Sequence, residues 1–138
     1  MSESKPGALS DAELEVLKVL WAGGPATVRE INQVLGRQGR SWAYTTVLTL
    51  LQRLESKGFA SSDKSGIAHV FQAAVTRDKL LRERITHLAT ELCEGTATPL
   101  VRALVEGHRF TAEEIEHFRQ LIDRLDPQPQ PKRRKSGP

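Results

Sequence analysis

Residues 41–59 read SWAYTTVLTLLQRLESKGF, and this stretch does most to decide the fold. A helix turning about 100° per residue gathers the large apolar residues of this stretch into one core-facing sector. That sector holds Val47, Leu50, Leu51 and Leu54. The opposite side has no acid and holds Thr45, Thr49, Gln52 and Ser56, with Thr46 and Arg53 on one flank. Such hydroxyl, methyl, amide and guanidinium groups suit the DNA major groove, although most amphipathic helices only present a polar face to solvent.

Local signals predict that two helices precede this one. Capping boxes, in which Ser or Thr is followed three residues later by Glu, occur at Ser10–Glu13 and Thr27–Glu30 and start both helices. A Gly-Gly-Pro run at residues 23–25 ends the first helix. Ser41 is the expected N-cap of the third helix, and Gly58 is the glycine expected to end it.

A β-hairpin is predicted after the third helix. Two short extended runs, residues 59–63 and 67–72, flank a turn that contains glycine and places Lys64 at its tip. Three helices followed by a hairpin wing give the order of a winged helix-turn-helix, in which the second and third helices bind DNA. The fold class is therefore mainly α with a small β-hairpin wing, followed by a C-terminal helical domain.

The second half of the chain, residues 76–125, predicts three short helices with apolar stripes. Thr76 caps the first of them and Thr111 the last. Their apolar residues recur at the spacing of helix seams: Leu81, Ile85, Leu88 and Leu92, then Leu100 and Leu104, then Ile115, Phe118 and Ile122. About 50 residues bury little core alone, so we expect these stripes to form a homodimer. The alternative is packing onto the chain's own N-terminal domain.

Composition sets the remaining boundaries. The net charge of +3 comes from the end of the chain, because residues 126–138 carry four basic groups and one acid. We expect a flexible N-terminus over 1–8, a DNA-binding domain over 9–75, dimerisation over 76–125 and a disordered basic tail over 126–138. The tail either aids solubility or adds non-specific phosphate contacts. No membrane span or signal sequence is present, which predicts a soluble cytoplasmic protein without a membrane partner.

Three segments resemble one known family. They are DAELEVLKVLW at residues 11–21, ATVRE at 26–30 and WAYTTVLTLLQRL at 42–54. Together they resemble the penicillinase repressor family (BlaI/MecI/CopY type). The resemblance implies a homodimeric winged-helix transcriptional repressor. It also implies that the N-terminal domain binds a palindromic double-stranded DNA operator with TACA/TGTA half-sites, while the C-terminal helices dimerise.

By position, the resemblance places the recognition-helix contacts on Trp42, Tyr44, Thr45, Thr46, Thr49 and Arg53. Thr45 and Thr49 point away from the core, which favours base contacts, whereas Thr46 and Arg53 on the flank favour phosphate contacts. Ser41 and Trp42 lie at the helix N-terminus, where backbone N–H groups attract phosphate. Arg40 and Lys64 are further phosphate candidates. For Trp42 and Tyr44, packing beneath the helix is an equal alternative, and for His69 in the wing a structural role is favoured.

The signals that control known members do not transfer to this chain. Where β-lactam-responsive members are cleaved at an Asn-Phe pair, this chain has Ala103-Leu104, and the paired C-x-C motifs of the copper-responsive branch are absent because Cys93 is its one cysteine. No catalytic motif is present, so we expect no enzyme and no cofactor.

Two other functions stay open. One is a protein-interaction adaptor, which an acid-rich third helix would favour. The other is a metal-responsive regulator with a zinc site across subunits. Its candidate ligands fit no recognised spacing, so no metal residues are assigned. They are His87, Cys93, His108, Glu113, Glu114 and His117.

Overall fold

The computed structural model describes residues 8–127, which divide into two compact units between Leu88 and Ala89. The elements are, in order, α1 (Asp11–Gly23), β1 (Ala26–Thr27), α2 (Val28–Arg37), α3 (Tyr44–Ser56), β2 (Ala60–Asp63), β3 (Val70–Ala73), α4 (Arg77–Leu92), α5 (Thr98–Gly107) and α6 (Ala112–Asp123). Three helices followed by the β2-β3 hairpin of a small antiparallel sheet confirm the predicted winged helix-turn-helix. The predicted N-terminal arm to residue 7 and the basic tail from residue 128 lie outside the described residues.

One apolar core joins α1, α2, α3 and the sheet. The predicted inward sector of α3 is confirmed, because its four apolar residues are at most 5% exposed. Leu17 from α1, Ile31 from α2 and Phe71 from β3 close around that sector. Leu80, in the first turn of α4, joins the same core. The inward-facing apolar stripes of α1 to α3 are thus covered by their own chain.

The helix starts follow the local capping signals, with one exception. In α1, α2 and α6 the cap hydroxyl and the glutamate three residues later form both hydrogen bonds of a capping box. The prediction that Ser41 caps α3 is wrong, because α3 begins at Tyr44 and Ala43 occupies the N-cap position without a side-chain hydrogen bond. The Asn32 amide donates to the carbonyl of Trp42 at 2.8 Å, which ties down the extended segment between α2 and α3. Gly58, with φ of 88°, follows the end of α3 as predicted.

The wing is part of a three-stranded sheet with the order β1-β3-β2. Asp63 pairs with Val70 across the hairpin, and Thr27 pairs with Val70 on the other side. The sequence did not predict β1, which has only two residues. The second strand of the hairpin begins at Val70 rather than at residue 67, so the loop of the wing spans residues 64–69. The pairing with β1 places the start of α2 beside the wing.

The three helices after the wing contrast with this core. Thr76 accepts a hydrogen bond from the backbone N–H of Lys79 at 3.0 Å, as expected for the start of α4. Neither α5 nor α6 contains a buried residue. In the second unit, the Phe110 and Phe118 rings meet edge to face with centroids 5.1 Å apart. The domain boundaries stay a prediction.

Candidate nucleic-acid interface

The polar side of α3 forms a shallow depression without an acid. Its lining residues are Thr45, Thr46, Thr49, Leu50 and Arg53, and its volume is about 300 Å³. The three threonines and the arginine are exposed, whereas Leu50 is 5% exposed and forms the floor. Helix periodicity separates these polar residues from the core sector, which is why the sequence alone placed them together. The depression therefore offers hydroxyls, methyls and one guanidinium to a ligand.

The two aromatic candidates, Trp42 before α3 and Tyr44 at its start, differ in how far they are buried. Trp42 is half-buried and packs against the core, which leaves only part of its side chain accessible to DNA. Tyr44 is 52% exposed and does not pack into the core beneath the helix. Ser41 is exposed next to Trp42, and its backbone is not part of α3. The segment between α2 and α3 is therefore anchored by Trp42 and presents its polar groups outward.

Two of the predicted phosphate-binding cations already have carboxylate partners. Arg40 Nε lies 3.4 Å from Glu15 Oε1, and its guanidinium lies 5.7 Å from the centre of the Trp42 ring. Lys64 Nζ lies 3.7 Å from Glu55 Oε1. Both cationic side chains are substantially exposed, and exposed ion pairs are weak because water and salt screen them. A phosphate can therefore compete with either carboxylate.

An ion pair between the half-buried Lys57 and the buried Glu13 connects the far end of α3 to the start of α1. Lys57 Nζ donates to Glu13 Oε1 at 2.7 Å and Oε2 at 3.0 Å, and also to the carbonyl of Ala8 at 2.7 Å. Burial raises the pKa of Glu13. The hydrogen bonds from Lys57 and from the Ser10 backbone, together with the charges of Lys57 and Arg53, lower this pKa by more than burial raises it. The net result is a pKa below the ordinary value. The sequence predicted Glu13 only as a capping acid.

The wing loop and the starts of α2 and α3 enclose a second groove. Its lining includes Arg29, Tyr44, Ile67 and His69, and its volume is about 570 Å³. Ile67 is fully exposed in the loop, and Arg29 is exposed in the first turn of α2. Sequence reasoning missed Arg29, because its nearness to the wing depends on the pairing of β1 with β3. The side chain and the backbone N–H of Ser65 donate to Asp63, and these bonds lower the pKa of that exposed carboxyl.

Comparison with known proteins identifies the family. The family model described as penicillinase repressor matches residues 9–124. The chain belongs to the penicillinase repressor family. It is similar to the penicillinase repressor of Bacillus licheniformis, with 27% identity over 83% of this chain and 89% of that protein. It is also similar to the transcriptional regulator BlaI of Mycobacterium tuberculosis, with 32% identity over 86% of this chain and 85% of that protein.

One solved structure with 32% identity is the solution structure of the DNA-binding domain of the repressor BlaI. The match covers 54% of this chain and 90% of that domain, with a TM-score of 0.47. Penicillinase repressor family members are transcriptional repressors and not enzymes. The prediction of a DNA-binding transcriptional repressor without catalysis is therefore confirmed by family membership.

In this penicillinase repressor family member, most apolar side chains of the predicted dimerisation stripes are exposed. Among residues 8–127, twelve of the fourteen exposed large hydrophobic residues lie between residues 81 and 125. On α4 the exposed fraction runs from 39% at Leu88 to 73% at Leu92. Leu104, Ile115, Phe118 and Ile122 are exposed too, whereas Leu100 is half-buried. Large exposed apolar patches are typical of surfaces that bind another protein.

The candidate metal ligands do not assemble within one chain. In the part that the structure describes, no three His, Cys, Asp or Glu side chains lie close enough together to hold a metal ion. His108 Nδ1 lies 3.1 Å from the carbonyl of Leu104 and its ring stacks near Phe110, which gives this histidine structural neighbours.

Between residues 8 and 127, no helix is both long and apolar enough to cross a membrane.

Proposed function

We propose that this repressor acts as a homodimer on a palindromic operator, with α3 of each subunit in the major groove of one half-site. The observation that carries the proposal is the exposed side of α3, where three threonines and Arg53 surround a depression lined by no carboxylate. DNA phosphates repel acids, and thymine methyls accept apolar contacts from threonine methyls. An adaptor that binds basic proteins would need the opposite charge on this face.

The positions of the side chains support a division of roles. Thr45 and Thr49 face away from the core and read base edges. Thr46 and Arg53 bind phosphates from the flank, which fixes the helix in the groove. At the periphery, phosphate contacts come from Arg40, Ser41, Trp42, Tyr44 and Lys64. Arg40 exchanges its exposed carboxylate partner for a phosphate when DNA binds, whereas Lys64, whose ammonium has three N–H donors, keeps its contact with Glu55 while it binds a phosphate.

The stripes on α4, α5 and α6 join the two subunits. Covering exposed leucine, isoleucine and phenylalanine side chains is favourable in proportion to the apolar area removed from water. A dimer places two copies of α3 about one helical turn of DNA, roughly 34 Å, apart. Linking two weak half-site contacts raises the overall affinity through effective concentration. Dimerisation is therefore the step at which an inducing signal releases the operator.

Repression follows from occupancy. A dimer bound to a promoter in the cytoplasm excludes RNA polymerase from the same DNA. Any event that separates or distorts the helices of residues 76–125 leaves single subunits, each of which binds a half-site weakly.

Fluorescence anisotropy tests the proposal directly. The purified chain is titrated into a labelled TACA-N-TGTA palindrome and into a scrambled duplex at about 0.15 M salt. We expect a complex of two subunits on the palindrome and binding to the scrambled duplex that is about 10³-fold weaker. Equal, weak binding to both duplexes would contradict the proposed operator. One subunit per palindrome at saturation would contradict the homodimer.

A further inference from the structure

Glu55, in the last turn of α3, contacts two parts of the wing at once. Its Oε2 accepts a hydrogen bond from the Ser62 hydroxyl on β2 at 2.8 Å. Its Oε1 lies 3.7 Å from the ammonium of Lys64, which begins the loop of the wing. One side chain of the proposed recognition helix thus holds both a strand and the loop of the neighbouring element.

The base of the wing does not depend on Glu55. Ala60 and Phe71 are buried in the core, and the N–H of Ala74 donates to the carbonyl of Phe59 at 2.8 Å. Beyond Ser62 the wing leaves the core, and residues 63–69 are all exposed. The Glu55 contacts lie at this transition between the anchored base and the exposed loop.

These contacts do little for overall stability. The side chain of Glu55 is 32% exposed and that of Lys64 is 57% exposed. Ion pairs this open to water add little to the free energy of unfolding. Their main consequence is local, because they restrict where the outer half of the wing can lie relative to α3.

We propose that Glu55 is a positioning residue that holds the wing at a fixed spacing from α3, so that both elements engage one operator together. The inference rests on the proposed function, in which α3 occupies the major groove and Lys64 binds a phosphate. A wing that is already ordered spares the ordering entropy that a loose wing pays on binding. The gain in affinity appears on the operator, where α3 lies in the major groove and the spacing between α3 and the wing must fit the DNA. On unrelated DNA, loose electrostatic contacts tolerate a displaced wing.

The test measures binding of the full chain to the palindrome and to the scrambled duplex. Glu55→Ala removes both contacts, and we expect it to weaken operator binding about tenfold and to leave scrambled-duplex binding within about twofold of wild type. Glu55→Gln keeps an oxygen that accepts the hydrogen bond from Ser62. It should therefore recover more than half of the operator affinity that Glu55→Ala loses. Asp11→Ala also removes an exposed acid, but one on α1 that has no part in the proposed DNA-binding surface, so this matched control should match wild type on both duplexes.

Two further measurements separate positioning from stability. Ser62→Ala should reproduce part of the operator defect, and adding it to Glu55→Ala should weaken binding no further. Hydrogen–deuterium exchange of the free protein should speed up in residues 62–70 of Glu55→Ala and stay unchanged in α1 and α2. Wild-type operator binding by Glu55→Ala would overturn the inference, as would an equal loss on both duplexes. A wild-type chain that does not prefer the palindrome contradicts the proposed function itself, which the same titration shows separately.

Discussion

The chain uses apolar helix stripes in two opposite ways. In α1, α2 and α3 the stripes close on one another, and Leu17, Ile31 and Leu51 are fully buried. In α4 to α6, stripes with the same spacing leave Phe118 36% exposed and Ile122 63% exposed. The pattern in the sequence is alike in both regions. An apolar stripe therefore predicts that a helix face will be covered, whereas it does not say whether the cover comes from the same chain or from another.

Two phenylalanines give the largest expected contrast between the regions. Phe71 is 1% exposed, and Phe71→Ala should destabilise the winged-helix core by about 3–5 kcal/mol because it leaves a cavity. Phe118→Ala should instead lower the unfolding temperature by an amount that depends on protein concentration, because it weakens the proposed dimer. Thermal unfolding followed by circular dichroism at two concentrations distinguishes them. A large, concentration-independent loss for Phe118→Ala would mean that its own chain covers this side chain.

Leu88→Asp is the next strongest test of the comparison. A charge placed in the proposed seam must be desolvated when the subunits join, so we expect monomers by light scattering. Operator affinity should fall about 100-fold, since the two half-sites are no longer linked. Thr86→Asp, about 200° around α4, is the control and should remain dimeric. A stable Leu88→Asp dimer would place the interface elsewhere.

Features that depend on residues close together in the chain were predictable from the sequence, whereas features that depend on packing were not. The capping boxes at Ser10, Thr27 and Thr111 were predictable because each hydrogen bond spans three residues. The α3 core sector was predictable for the same reason, since helix periodicity fixes it. The prediction for Ser41 was wrong because capping preference alone does not fix where a helix begins. The packing of the whole segment places the start of α3 at Tyr44, three positions after Ser41.

Contacts between distant residues were not predictable. The Trp21 indole donates to the carbonyl of Val75, 54 residues along the chain, at 2.8 Å. Lys57 meets Glu13 across 44 residues. No local pattern encodes such pairs, because they exist only once α1, α3 and the sheet have packed. The same limit applies to the candidate site, where the α3 face was foreseen and Arg29 beside the wing was not.

Two of the three capping-box glutamates, one from each region, give a smaller contrast. Glutamine can still accept the capping hydrogen bond, so Glu114→Gln on the exposed α6 should change the free energy of unfolding by no more than about 0.5 kcal/mol. Glu13→Gln removes a buried charge from beside Lys57 and should reduce stability at neutral pH by about 1.5 kcal/mol. Urea unfolding of both variants at one protein concentration measures the difference. Equal effects would mean that the Lys57 pair adds nothing beyond the cap.

The pH dependence of Glu13 gives that contrast a sign. Its pKa in the folded protein lies below the ordinary value, which is about 4.3 for glutamate in an unfolded chain. The carboxylate therefore adds stability above about pH 4.3, and this part is lost as the pH falls through the lower folded value. The stability gap between wild type and Glu13→Gln should accordingly narrow as the pH falls below about 4.3. A gap that stays constant would show that the charge of Glu13 is not its source.

The smallest expected contrast lies within α3 itself and separates base readout from phosphate contact. Thr49→Ala removes a hydroxyl and a methyl from the outward face, so it should weaken operator binding by about 1 kcal/mol and scrambled-duplex binding much less. Thr46→Ala, on the flank of the same depression, should weaken both duplexes equally if it contacts phosphate. Anisotropy titrations of both variants on both duplexes give the four affinities. Should Thr49→Ala lose affinity equally on the two duplexes, Thr49 would contact the backbone, and base readout would fall to Thr45.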